Sequence, residues 1–127
     1  MTPEQKKYIE ENINLIENNK WDEFFNSPKS IGIGGVLYEA GITFLDELTY
    51  VPTRAFLNCS NLNTIIIPGS VTSIGNSAFS DCSGNIIKIN YGGTTDEWKQ
   101  LIGENNRVFR GTKYICNCTN GVVKKSR

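Results

Sequence analysis

Apolar residues recur at two periods along this chain, and the change of period divides it. Near the N-terminus Ile9, Ile13 and Ile16 fall at i, i+4 and i+7, with Tyr8 and Leu15 widening the stripe. That spacing predicts an amphipathic helix. Thr2, Pro3 and Gln5 supply its start: a hydroxyl cap, a proline at the first helical position, and a side chain that can return to the cap N–H. Asn18-Asn19 stops it. A second short segment, residues 20–25, carries Trp21, Phe24 and Phe25 and ends at Ser27-Pro28, because the residue before a proline avoids the helical region. The two segments read as an apolar cap on the remainder of the chain, with a partner-binding helix as the alternative.

Beyond residue 40 the chain repeats itself at 23 residues. Ala55-Phe56 falls on Ala78-Phe79, Cys59-Ser60 on Cys82-Ser83, Val51 on Ile74 and Leu48 on Val71. After a one-residue insertion at Gly84-Asn85, Leu62 aligns with Ile86, Ile65 with Ile89 and Ile67 with Tyr91. A period in the range of about 20–29 residues suits coils that each give a short strand and a return arc. Equal spacing places the same apolar positions beneath their counterparts, so one core grows along the stack. Upstream, Ser30 to Tyr38 reads as a degenerate preceding coil. Gly32-Ile33-Gly34-Gly35 is no phosphate loop, since no Lys-Ser/Thr follows it. Downstream, Ile89-Asn90-Tyr91-Gly92-Gly93 predicts a strand and turn. Thr94 with Glu97 forms a second capping box opening a helix over residues 96–102 that buries Trp98, Leu101 and Ile102. Gly103 and Asn105-Asn106 break it. Residues 113–118 alternate as a strand does, Asn120-Gly121 is a turn, and Val122-Val123 leads into a basic tail.

The unit Ser70-Val71-Thr72-Ser73-Ile74-Gly75-Asn76-Ser77-Ala78-Phe79-Ser80-Asp81-Cys82 resembles the BspA-like leucine-rich repeat of bacteria and some protists. The stretch Tyr91-Gly92-Gly93-Thr94-Thr95-Asp96-Glu97-Trp98, followed by a terminal strand with Cys and Asn-Gly, is similar to that family's closing element. The resemblance covers about residues 42–123 and implies protein–protein or surface attachment rather than catalysis. Members are commonly long and often secreted, whereas this chain holds about two clear coils. The expected fold is α+β: a short leucine-rich-repeat solenoid with an N-terminal helical hairpin cap (1–28), repeat coils (29–93), and a C-terminal helix/strand cap with a basic tail (94–127).

Composition narrows the chemistry. There is no histidine, which removes Ser-His-Asp and Cys-His catalysis and His-ligated zinc. Thirteen Lys+Arg balance thirteen Asp+Glu, so no global field draws the chain to nucleic acid or an acidic membrane. No apolar run approaches the roughly 18 residues of a membrane span. Residues 1–7 lead into polar sequence without an apolar run, so no signal peptide is expected and the location is expected to be cytoplasmic, with reduced cysteines. Fifteen Asn and fifteen Ile against three Ala suggest an AT-rich genome, as in a low-GC bacterium or its phage. The charge is uneven: residues 1–95 carry six basic and ten acidic residues, net −4, and residues 96–127 seven and three, net +4. Arg107, Arg110, Lys113, Lys124, Lys125 and Arg127 could form a basic end, or a solvated cap with a disordered tail.

Cys59 and Cys82 share one coil position and should stack at about 4.7–5 Å. That spacing permits a disulfide, but packing as small hydrophobes is the expectation. Cys116 and Cys118 share one face of a strand, and C-x-C alone is a poor zinc signal. The pairs Asp22-Glu23, Asp46-Glu47 and Asp96-Glu97 point apart and form no carboxylate dyad. Asn58-Cys59-Ser60 and Asn117-Cys118-Thr119 match the glycosylation sequon, which a cytosolic chain would not use. No catalytic residue, metal or cofactor is expected. The predicted activity is non-catalytic protein binding through an outward row of Ile66, with Thr43 one coil before and Asn90 one coil after, flanked by Thr64 and Lys88. Arg107, Arg110 and Lys113 form a second candidate surface, the one place where nucleic-acid contact is foreseen; no membrane contact is. One role for such a binder is a free-standing phage or mobile-element inhibitor of a host defence protein, such as a CRISPR nuclease. The alternative is a terminal segment of a bacterial surface-adhesion repeat protein.

Overall fold

Both predicted capping boxes form. Thr2 Oγ1 accepts the Gln5 amide at 3.1 Å, and Gln5 Oε1 accepts the Thr2 amide at 3.0 Å. This opens α1 (Pro3–Glu11) in the computed structural model, which describes residues 1–82, 84, 86–103 and 107–126. The helix does not run on through Ile16. Asn12 Nδ2 donates to the Tyr8 carbonyl at 2.8 Å and the chain breaks there, restarting as α2 (Ile13–Glu17). The break turns Ile13 outward, so the stripe that packs is Tyr8, Ile9, Leu15 and Ile16. In α3 (Trp21–Phe24), Trp21 and Phe24 are buried. Their rings cluster with Tyr8, Phe25 and Phe44 at centroid distances of 5.1–6.1 Å.

The degenerate coil before the repeats keeps a rung-like backbone bond at Gly32. The Gly32 amide donates to the Arg54 carbonyl at 2.9 Å, and the chain then winds into α4 (Ile33–Glu39) rather than a strand. Glycine is needed here for close approach. A Cβ on Gly34 would lie 2.6 Å from the Ala55 carbonyl oxygen, and one on Gly35 would lie 2.3 Å from Cys59 Sγ. Thr43 lies exposed at the start of a 3-10 turn, Phe44–Glu47, and belongs to no strand. Its expected place in the outward strand row is therefore wrong: α4 and this turn stand where a preceding strand would have been.

From residue 50 the repeat is realised in backbone hydrogen bonds. β1 (Tyr50–Val51) pairs parallel with β3 (Ser73–Ile74), Val51 opposite Ile74. β2 (Thr64–Ile67) pairs parallel with β4 (Ile87–Tyr91), Ile65 opposite Ile89 and Ile67 opposite Tyr91. Between the strands, the amides of Arg54, Phe56 and Asn58 donate to the carbonyls of Asn76, Ala78 and Ser80 at 2.8–3.1 Å. Arg54 and Asn58 are left-handed, and so are Ser77 and Asp81 one repeat later. One sequence alignment fails: Leu62 is buried, whereas Ile86 is 50% exposed and Ile87 takes the inward position. The extra residue displaces the pattern by one just before β4. The bulge expected at Gly84-Asn85 involves Asn85, which lies outside the described residues.

A third rung was hidden from the periodicity. The Phe79 and Asp81 amides donate to the Val108 and Arg110 carbonyls at 2.9 and 2.7 Å, which puts Val108-Phe109 beneath Ala78-Phe79 at an offset of 30 residues. The added length is α5 (Thr95–Ile102), opened by the Thr94/Glu97 box with Trp98 fully buried and Leu101 and Ile102 half-buried. Gly103 ends it; the predicted breakers Asn105 and Asn106 lie outside the described residues. β5 (Tyr114–Cys118) then pairs parallel with β4, and β6 (Gly121–Lys125) turns back antiparallel, giving the four-stranded order β2-β4-β5-β6. Phe56, Phe79 and Phe109 stack with centroids 4.9 and 5.0 Å apart and planes within 6°. That spacing is close to the ~4.8 Å between paired strands, so the backbone ladder sets the ring stack.

Candidate functional site

Alternation along the strands sorts every second side chain to each face of the sheet. Inward, Ile65, Ile89 and Cys116 are fully buried and Val123 partly so, in one cross-strand row. Outward, the registers build two parallel rows: Ile66, Asn90, Asn117 and Val122, and beside it Thr64, Lys88, Ile115 and Lys124. Four of the predicted residues, Thr64, Ile66, Lys88 and Asn90, are thus brought together on one face. Ile66 is 57% and Val122 52% exposed. Asn117 Nδ2 donates to Asn90 Oδ1 at 3.4 Å across the strands. The free edge of β2 is met by α4, where the Tyr38 hydroxyl accepts the Ile66 amide at 2.9 Å. None of the residues in β2, β4, β5 and β6 is acidic, while Lys88 and Lys124 stand on the outward side.

A family model described as "BspA type Leucine rich repeat region (6 copies)" matches residues 39–118. The chain belongs to that family. No curated protein and no solved structure matches it. In a BspA-type repeat the stacked strands give a rigid surface, and protein–protein interaction is the general use of leucine-rich repeats.

Elsewhere on this BspA-type chain the basic residues divide. Arg107 and Arg110 are exposed on the third rung's arc, where their carbonyls accept from Ser80 Oγ and the Asp81 amide. Lys113 is exposed beside the outward rows, one residue before β5. Lys124 and Lys125 lie within β6, so this stretch is a paired strand and not a disordered tail. Lys125 leaves the basic surface: its Nζ donates to the Thr112 carbonyl at 2.7 Å, and burial lowers its pKa. Arg127 lies outside the described residues.

All four cysteines are free. Cys82 is buried with Sγ 3.0 Å from the Phe56 carbonyl, and Cys59 Sγ lies 3.7 Å from those of Gly32 and Leu57. Burial pushes both thiols up, Cys59 to about 12. Among the described residues no three Cys, Asp or Glu side chains gather to hold a metal ion, and no helix is long and apolar enough to cross a membrane.

Sequence reasoning missed the β5–β6 half of the outward face, Ile115, Asn117, Val122 and Lys124. The alternation of Tyr114-Ile115-Cys116-Asn117-Cys118 carried the signal, but its pairing partner was not legible. It also missed an open groove of about 690 Å³ between α3 and the β1–β3 pair, lined by Asp22, Phe25, Tyr50 and Asn76 among others. There the Tyr50 hydroxyl donates to Asp22 Oδ1. Burial and then the Asp22 carboxylate push the Tyr50 phenol up to about 12.

Proposed function

We propose that the chain is a non-catalytic binding module, a short solenoid of three stacked rungs that docks an acidic surface of another protein on the outward face of β2–β4–β5–β6. The observation that carries this is the make-up of that face: exposed Ile66 and Val122 and the Asn90–Asn117 pair, set among Lys88, Lys113 and Lys124, on strands without an acidic residue. Apolar contacts at the centre of such a patch supply affinity, and the lysines at its margin steer an acidic partner and set orientation. The arc residues Arg107 and Arg110 lie off this face and are the place for any nucleic-acid backbone contact.

The test is site-specific photo-crosslinking in the native host, with a crosslinking side chain at Ile66 and, as a control, at Thr53 in the groove on the other side of the rungs. Crosslinks through position 66 should disappear in K88E/K124E and weaken as salt rises. Equal crosslinking from Thr53, or indifference to the charge reversal, would refute this face. The identity of the captured protein separates two narrower readings. One near-stoichiometric cytoplasmic protein, a host defence nuclease for example, favours the phage or mobile-element inhibitor, and a surface or matrix protein favours a segment of an adhesive repeat array.

A further inference from the structure

On the inward side of β5, Cys116 and Cys118 stand two residues apart with their sulfurs 3.7 Å from each other. Alternate residues of a strand are about 6.6 Å apart at Cα, inside the upper limit a disulfide can span. The two thiols differ in access: Cys116 is fully buried, whereas Cys118 is half-buried and faces Gly121, which has no side chain, across the hairpin. Cys118 Sγ also lies 3.9 Å from the Cys116 carbonyl, and the sulfurs of Cys59 and Cys82 lie against backbone carbonyls. We propose that Cys116 and Cys118 form a reversible dithiol–disulfide couple, oxidised to an intrastrand bridge by a low-molecular-weight disulfide.

The accessible thiol reacts first. Cys118 loses its proton to solvent, and its thiolate attacks one sulfur of the small disulfide, breaking that S–S bond and releasing one small thiol. The mixed disulfide on Cys118 then sits beside Cys116. Cys116 gives up its proton, its sulfur attacks Cys118 Sγ, and the second small thiol leaves. Two electrons pass from the cysteine pair to the small disulfide, and the two protons end on the two released thiols. Burial raises the Cys116 thiol and keeps it protonated, so it does not react first; the second, intramolecular step is carried by the 3.7 Å proximity of the two sulfurs. Closing the bridge draws the two Cβ atoms to about 3.8 Å and puckers β5 at Asn117. A bridge strained in this way is readily reduced. The couple holds whatever protein binds the outward face.

Oxidised glutathione is the probe, applied to the full chain and to C59S/C82S. The expected product has lost two hydrogens, retains no glutathione, resists iodoacetamide at both positions and is restored by dithiothreitol. In the full chain the tryptic peptide 114–124 carries both cysteines, so the bridge is read there even if C59S/C82S folds poorly. In the C59S/C82S background, Cys116→Ser should accumulate glutathione on Cys118, and Cys118→Ser should remain unmodified. Stable glutathione on Cys118 with Cys116 intact, or both thiols still alkylated after treatment, would overturn the proposal.

Discussion

Phe79→Ala tests the stacked register most directly. Phe79 is fully buried at the centre of the ring column, 4.9 Å from Phe56 and 5.0 Å from Phe109, nearly coplanar with both. Its neighbours on either side are held by the amide ladders of two different rungs, so they cannot close on the vacated space without breaking those bonds. A buried Phe→Ala costs about 3–5 kcal/mol, and the poor prospect of collapse puts this site at the upper end. A domain of this size is stable by only about 5–15 kcal/mol. At roughly 3–4 °C per kcal/mol the melting temperature should fall by about 10–20 °C. Thermal and urea unfolding followed by circular dichroism measure it, with Ile66→Ala as the exposed control, expected within about 0.5 kcal/mol of wild type. Phe79→Leu should lie between the two, because it refills part of the volume but loses the ring stack. A Phe79→Ala melting point within a couple of degrees of wild type would refute the column as a source of stability.

Thr112 is fully buried and joins two rungs, its hydroxyl donating to the Phe79 carbonyl and accepting the Cys82 amide at 3.0 Å. Thr112→Val keeps the shape and strands both groups, so it should cost about 1–3 kcal/mol in urea unfolding; an unchanged midpoint would exclude that bridging role. Gly34→Ala gains about 1 kcal/mol of helix propensity in α4 but drives a Cβ to 2.6 Å from the Ala55 carbonyl oxygen. Backbone cannot yield as a side-chain tip does, so the variant should be less stable, and a raised urea midpoint would overturn the tight α4 contact. Tyr50 has a folded pKa of about 12 against an ordinary 10, so its stabilising effect is complete below pH 10 and lost as pH rises from 10 through 12. Tyr50→Phe should flatten the fall in stability across that window, leaving the part due to the other groups that burial raises, the phenols of Tyr8, Tyr91 and Tyr114 and the thiols of Cys59, Cys82 and Cys116. An identical alkaline profile would show that Tyr50 is solvated.

What the sequence determined by itself is local or strictly periodic. The two capping boxes each lie within four residues and form as read from Thr2/Gln5 and Thr94/Glu97. The pairing of Ile65 with Ile89, and the outward position of Ile66 between two buried isoleucines, follow from an offset and an alternation visible without coordinates. Tertiary structure decided what lay between regular spacings. Val108-Phe109 completes the phenylalanine column, yet inserted α5 lengthens its repeat from 23 to 30 residues and erases the period that would have revealed it. Ser30 to Tyr38 keeps the glycines and isoleucines of a coil, but after the Gly32–Arg54 bond its backbone leaves the ladder and winds into α4. An unpaired strand leaves its amides unsatisfied, whereas α4 pairs those beyond its first turn internally and lends a Tyr38 hydroxyl to the edge of β2. Lys124 and Lys125 are identical in the sequence, and only the pleat of β6 sends one to the outward lysine row and the other to the Thr112 carbonyl. The 3.7 Å between Cys116 and Cys118 is of the same kind, since spacing puts two thiols on one face and packing alone brings their sulfurs into contact.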